Sequence, residues 1–314
     1  MFKYSFNGGT KRLNITLPDA LEFNFEFLKE TSKMLFRINQ FSFDEVVFLG
    51  KSNAKYDKLS KAYLFNLMAN INERKRILWD RHLRLAIGTT VHYKKGEDYL
   101  PINDMVDKIA SEELNIYRFY GDVGIEKPIE ELTRIMVDMN LAIEPERVKE
   151  FLSTTIGEIF SNSTNHSKKQ ELFFMFDIVN IDGVFLLCVN IVDFGTTIVE
   201  SVREFLLRTQ KIHISGKDCI EWAIKSGNTT RNGAGGYGLP TLIEYIRTVN
   251  GELSIFSGNA YFELEKGNIE VQEMTEAFFN GTSVTFKVAL FDTNSFLKYD
   301  PKEDRLISVS LDNI

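Results

Sequence analysis

Apolar positions recur along this chain with two different periods, and the switching between them predicts an α/β protein. Near the start, "KRLNITL" and "DEVVFL" read as strands, with "FEFLKETSKMLFRI" between them spaced as a helix. Leu59, Tyr63, Leu67, Met68 and Ile71 form a second helical stripe, completing a βαβα order. Residues 77–100 predict one or two strands, and "INDMVDKIASEELNIYRFYG" and "PIEELTRIMVDMNLAI" read as helices. Pro145 suits a first helical turn, after which Val148, Phe151, Leu152, Thr155, Ile156, Ile159 and Phe160 make a core-facing stripe. "ELFFMFDIV" and "VFLLCVNIVDF" are apolar strands joined through Asp182-Gly183, a hairpin pair. Helices are predicted after Gly195, over residues 218–225 and from "GLPTLIEYIRTV"; "GELSIFSG", "AYFELEKG" and "GTSVTFKVAL" are three more strands. The second half therefore reads as helices on one face of a mixed or antiparallel sheet.

One helix breaks its own pattern. At about 100° per residue, Glu158 falls on the edge of the stripe that begins after Pro145, while Asn162 and His166 rotate into its centre. Buried carboxylates and amides are costly unless paired, so such a helix end asks for a ligand, an ion or nearby backbone. Taken alone, "GEIFSNSTNHS" also reads as a frayed and solvated last turn.

Two further stretches carry candidate chemistry. Asp193-Phe194-Gly195-Thr196-Thr197-Ile198 sets a carboxylate at the end of a buried strand, next to a glycine. The carboxylate can accept a hydrogen bond from an exocyclic amino group, and the glycine lets a flat ring approach; a helix cap followed by a turn is the plainer reading. In "RNGAGGYGLPTLIEYI", Gly233, Gly235, Gly236 and Gly238 crowd the entrance to a helix, where unpaired amides form an anion site. A flexible connection would look the same. Gly50-Lys51-Ser52 ends a strand as a phosphate loop would, but Glu45 stands where such a loop needs its first glycine.

Composition narrows the partners. With 314 residues, 44% apolar and 12% aromatic, the chain can bury a large core in two domains. A net charge of −7, a pI near 5.4 and the lack of a dense Lys/Arg cluster argue against nucleic acid. "MFKYSFNGGTKRLN" lacks a signal-peptide core and no stretch has the length of a membrane span, so a soluble, cytoplasmic chain without a membrane partner is expected. Cys188 and Cys219 are the only cysteines, with Cys188 in an apolar run that suits a core residue; the four histidines lack zinc-type spacing.

In order and spacing, the three boxes resemble the GHKL superfamily of ATP-binding domains, which includes histidine kinases, anti-sigma serine kinases, type II topoisomerases and related chaperones. Glu158, Asn162 and His166 look like its N box, Asp193 and Gly195 like its first glycine box, and Gly233, Gly236, Gly238 and Leu239 like its second; "GTSVTF" resembles its closing strand. The resemblance implies a Bergerat-type two-layer α/β sandwich with a mixed sheet over residues 143–291. Before it lies a smaller α/β domain with a helical connector, residues 1–142, and after it a tail, residues 292–314. ATP and Mg²⁺ are the implied cofactors. Asn162 would ligate Mg²⁺ and, with His166, line the nucleotide; Asp193 would read the adenine amino group beside Gly195. Gly233, Gly235, Gly236, Tyr237, Gly238 and Leu239 would hold the phosphates.

The same resemblance implies an ATPase or a serine/threonine protein kinase of bacterial regulation, with Glu158 polarising the attacking hydroxyl or water. The alternative is a non-catalytic switch in which ATP closes a lid over residues 208–236 and changes partner binding. Thr197 and Ala234 stand where the family has glycines, which favours the switch; Glu158 favours catalysis. The N-terminal layout is similar in element order to STAS-type domains, the modules of anti-sigma antagonists, although a generic α/β domain has the same order. A regulatory protein partner is expected, with a STAS-like protein as one candidate, and a homodimer is one option the sequence leaves open. His82 lacks the two-helix heptad pattern that a phospho-accepting histidine would need.

Overall fold

The computed structural model describes residues 2–51, 53–72, 75–87, 99–101, 116–120, 171–181, 184–230, 236–275, 277–291, 295–300 and 305–310. It also describes positions 129–130, 132–134, 138, 153, 156–157 and 159, all of them helical. By packing, the chain divides into a unit of residues 1–116 with 276–278 and a second unit of 117–275 with 279–314. That division precedes the 142/143 boundary expected from the sequence.

The first unit runs β1 (Lys3–Asn7), β2 (Arg12–Thr16), β3 (Ala20–Leu21), α1 (Phe25–Gln40), β4 (Glu45–Leu49), β5 (Lys55–Tyr56), α2 (Lys58–Asn72), β6 (Arg76–Asp80), α3 (Arg81–Ile87) and β7 (Tyr99–Pro101). Its main sheet has the order β1-β2-β4-β6-β7, parallel from β2 to β6 and antiparallel at both edges. Val46, Val47 and Phe48 of central β4 are all fully buried, which is why this strand reads as a continuous apolar run. Across the three parallel strands Glu45 pairs with Arg12 at 2.7 Å and Arg76 at 2.8 Å, holding their starts in register. α1 begins where the Asn24 side chain accepts the Phe27 amide at 3.0 Å. The Gly-Lys sequence after β4 is a packing feature: Gly50 donates its N–H to Asp80, and a β-carbon on it would lie 2.6 Å from Leu83 backbone.

The second unit contains β8 (Ile116–Tyr120), β9 (Glu171–Ile181), β10 (Val184–Asp193), α4 (Ile198–Gln210), α5 (Gly216–Ala223), α6 (Gly238–Thr248), β11 (Glu252–Gly258), β12 (Ala260–Glu265), β13 (Asn268–Glu273), β14 (Phe279–Phe291), β15 (Ser295–Asp300) and β16 (Arg305–Ser310). A seven-stranded sheet has the order β13-β12-β11-β14-β10-β9-β8. Every pairing from β13 to β9 is antiparallel, one of the two sheet types expected for this half of the chain, while the main sheet of the first unit is mixed. The reason is the preponderance of short hairpin connections, which join only antiparallel neighbours. Residues 116–120, read from the sequence as the end of a helix, form edge strand β8, as their β-branched and aromatic content favours. Residues 292–314, expected as a tail, carry the antiparallel pair β15–β16.

Alternation along β10 assigns the two faces of the sheet. Leu187, Val189 and Ile191 share one core with Val199, Val202 and Leu206 of α4, Ile220 of α5, and Leu242 and Ile246 of α6. Ile156 and Ile159, two members of the expected stripe, are buried in that core. The opposite face bears a chain of aromatic contacts from Phe173 through Phe194, Phe279 and Phe256 to Tyr261, with successive centroids 5.7–6.1 Å apart. Both cysteines are buried thiols, Cys188 as expected of a core residue. Among the described residues, no helix is long and apolar enough to cross a membrane.

Candidate functional site

The parity that puts Ile191 in the helix-facing core also turns Asp193 toward the helices, at the point where β10 ends. Asp193 is 3% exposed, and its Oδ1 accepts the Gly195 amide at 2.9 Å. Opposite it in the ladder stands Thr282 of β14. Ser257 of β11 ties this corner together. Its Oγ accepts the Ile198 amide at 2.8 Å, donates to the Gly281 carbonyl at 3.1 Å and sits 2.9 Å from the Thr282 hydroxyl.

α4 starts immediately after, and its Ile198, Glu200 and Ser201 amides already have acceptors. Thr197 caps it by accepting the Glu200 amide at 2.9 Å, and Glu200 returns the bond to the Thr197 amide at 3.0 Å. Thr197 is therefore a fully buried helix cap. α5 is closed the same way by Ser215 and Asp218, whose carboxyl the Ser215 hydrogen bonds hold below the usual carboxylate range. Burial pushes the Cys219 thiol of α5 up, as suits a residue of the core.

α6 begins differently. Tyr237 precedes it with no side-chain cap, and Pro240 has no amide, leaving the Gly238 and Leu239 N–H groups at the first turn without intrahelical acceptors. Gly236 has φ +83°, and a β-carbon there would stand 2.2 Å from the Asn228 carbonyl oxygen; the Gly236 carbonyl accepts the Gly227 amide at 3.1 Å. The glycine thus closes a tight approach between the two ends of the loop, a structural demand distinct from both the phosphate site and the flexible connection that the sequence allows.

These pieces surround one cleft of about 810 Å³, counting the space open to solvent at its mouth. Asp193, Thr196 and Thr282 lie on one side, Gly236, Gly238 and Leu239 on another, and Ile159, Ile198, Val202 and Val284 supply apolar wall. α5 contributes Trp222 and Ala223, followed by Asn228, Thr229 and Thr230. Neither Lys nor Arg is present in the described lining.

The fold thus brings together four of the sequence-identified positions, Asp193, Gly236, Gly238 and Leu239, from strand end and helix start. Gly195 supports Asp193 through its amide, whereas Tyr237 is 59% exposed and outside the lining. Glu158, Asn162, His166, Gly233 and Gly235 lie outside the described residues, although Ile159, the neighbour of Glu158, reaches the cleft. Sequence reasoning did not single out Trp222, Asn228 or Ser201. No local motif marks them, because they reach the cleft only through the packing of α4 and α5. No protein-family model matches the chain, and comparison with curated proteins finds no match.

Proposed function

We propose that the second unit binds an adenine nucleotide together with Mg²⁺ in this cleft, and that the protein is an ATP-dependent regulator of the GHKL kind. The observation that carries the reading is the convergence of a buried strand-end carboxylate, Asp193, and an uncapped helix N-terminus at Gly238 and Leu239 on one apolar-walled cleft. A carboxylate in such a place accepts from an exocyclic amino group, the apolar wall suits a flat base, and free amides at a helix start favour phosphate. These residues fit a nucleotide.

The absence of Lys and Arg from the described lining leaves phosphate charge to be met by amides, the helix dipole and a metal. Mg²⁺, held by Asn162 in this reading, would supply that neutralisation. Glu158 would act as the base that accepts a proton from the attacking hydroxyl or water, making the protein an ATPase or a serine/threonine protein kinase. A non-catalytic switch is favoured by one feature: α5, inside the expected lid, forms part of the cleft wall through Trp222 and Ala223, so ligand contacts there would bias lid position.

Thermal unfolding of the full chain with ATP, ADP and GTP, each with and without Mg²⁺, tests the reading. Stabilisation by ATP that grows with Mg²⁺ and is weak with GTP is expected. Absence of any shift at millimolar ATP overturns nucleotide binding, and equal shifts with GTP overturn the role of Asp193.

A further inference from the structure

Among the described residues, the first unit leaves the outer edge of β1 without a neighbouring strand. β1 borders its sheet, pairs regularly with β2 from Lys3↔Thr16 to Asn7↔Arg12, and shows neither bulge nor proline. Lys3, Ser5, Phe6 and Asn7 are all exposed. An edge with free backbone groups and apolar side chains pairs readily with another strand, and Lys3 is the only charge on this one.

Beside the edge lies an aromatic patch. Phe6 is 58% and Phe41 56% exposed, and the Phe43 ring is 5.4 Å from Phe6 and 5.9 Å from Phe41. By alternation Tyr4 shares a face with Phe6, and its ring is covered by the Arg37 guanidinium at 4.4 Å. Aromatic surface of this kind, continuous with an open strand edge, marks an interface.

We propose that β1 is a homodimer edge, two copies pairing antiparallel about a two-fold axis at Ser5. The strand is self-complementary in that register. Ser5 meets its counterpart, Tyr4 meets Phe6 of the second copy, and Lys3 meets Asn7, so no like charges face each other. Opposed residues share a face, which gathers Tyr4 and Phe6 of both copies into one four-ring cluster flanked by Phe41 and Phe43. Both alternations of the outward hydrogen bonds satisfy this symmetry, because an odd-length strand centred on Ser5 pairs every residue. The two copies thereby join their five-stranded sheets into one.

Sedimentation of the full chain across a concentration series, without nucleotide, tests this edge separately from the cleft. A reversible dimer is expected, and Phe6→Glu weakens it roughly tenfold or more, with an unchanged unfolding midpoint at concentrations where the parent is monomeric. Under mild oxidation Ser5→Cys cross-links as a dimer, the native thiols being buried. A monomer at every concentration overturns the proposal, as does a dimer that withstands Phe6→Glu. So does a dimer in which Ser5→Cys fails to cross-link while Ile269→Glu, on the exposed β13 edge of the other unit, dissociates it.

Discussion

Gly281 meets the Asp193 backbone so closely that a β-carbon on it would stand 2.0 Å from the Asp193 carbonyl oxygen, at φ +150°. Side chains are strained in that conformation, and here the atom in the way is backbone. Gly281→Ala should therefore displace the end of β10 and cost about 1–3 kcal/mol or more in denaturant unfolding. The same variant should lose nucleotide-induced stabilisation, since Asp193 moves with its backbone.

Asp193→Asn tests the carboxylate itself. Loss of a charged acceptor should weaken adenine-nucleotide binding by about 1.5–3 kcal/mol, read by calorimetry, and narrow any preference for ATP over GTP. Retained affinity would remove Asp193 from the base-binding role.

Gly236 and Gly238 should separate in their effects. Gly236→Val forces a side chain into Asn228 backbone at positive φ and should lower the unfolding midpoint outright. Gly238 begins α6 and its φ is not in the positive range, so Gly238→Val should leave the fold largely intact while weakening ATP more than adenosine. Equal binding of ATP by parent and Gly238→Val would place the phosphates elsewhere.

Glu158→Gln and Asn162→Ala should part chemistry from binding. The first keeps shape but loses basicity, so ATP still binds while turnover falls by on the order of 10²–10⁴; the second weakens Mg·ATP. Full activity in Glu158→Gln would exclude it as the base. A parent protein that binds ATP without hydrolysis or phosphotransfer would favour the switch.

Alkaline pH should destabilise the first unit. Tyr56 is buried, donates its hydroxyl to the Pro18 carbonyl at 3.1 Å, and has its phenol pushed up to about 12, chiefly by burial and further by Asp80 and Asp19. Below about pH 10 the phenol is neutral in folded and unfolded chains alike. Between about pH 10 and 12 the unfolded chain loses that proton first, so this contribution to stability falls as pH rises through the window. Urea midpoints measured across it should fall, and less steeply in Tyr56→Phe.

Much of the fold was legible locally. β9, β10 and α6 announce themselves because each buries a face whose period the sequence repeats, and Asp193 is visible as the polar residue ending an apolar run. Periodicity is local, so it survives without knowledge of the partner surface. Where the local signal was contrary, the sheet prevailed: the helix reading across Ile116–Tyr120 gave way to β8, which gains its backbone hydrogen bonds from the ladder.

By itself, the sequence determined an α/β protein with a carboxylate at a strand end and a glycine-rich helix entrance. Only the tertiary structure decided that these two meet in one cleft, because Asp193 and Gly238 are brought together by the packing of α4, α5 and α6 on the sheet. It also decided what the glycines are for. A close approach such as Gly236 to Asn228 or Gly281 to Asp193 joins residues distant along the chain or across a loop, and no local pattern records the space a missing side chain leaves.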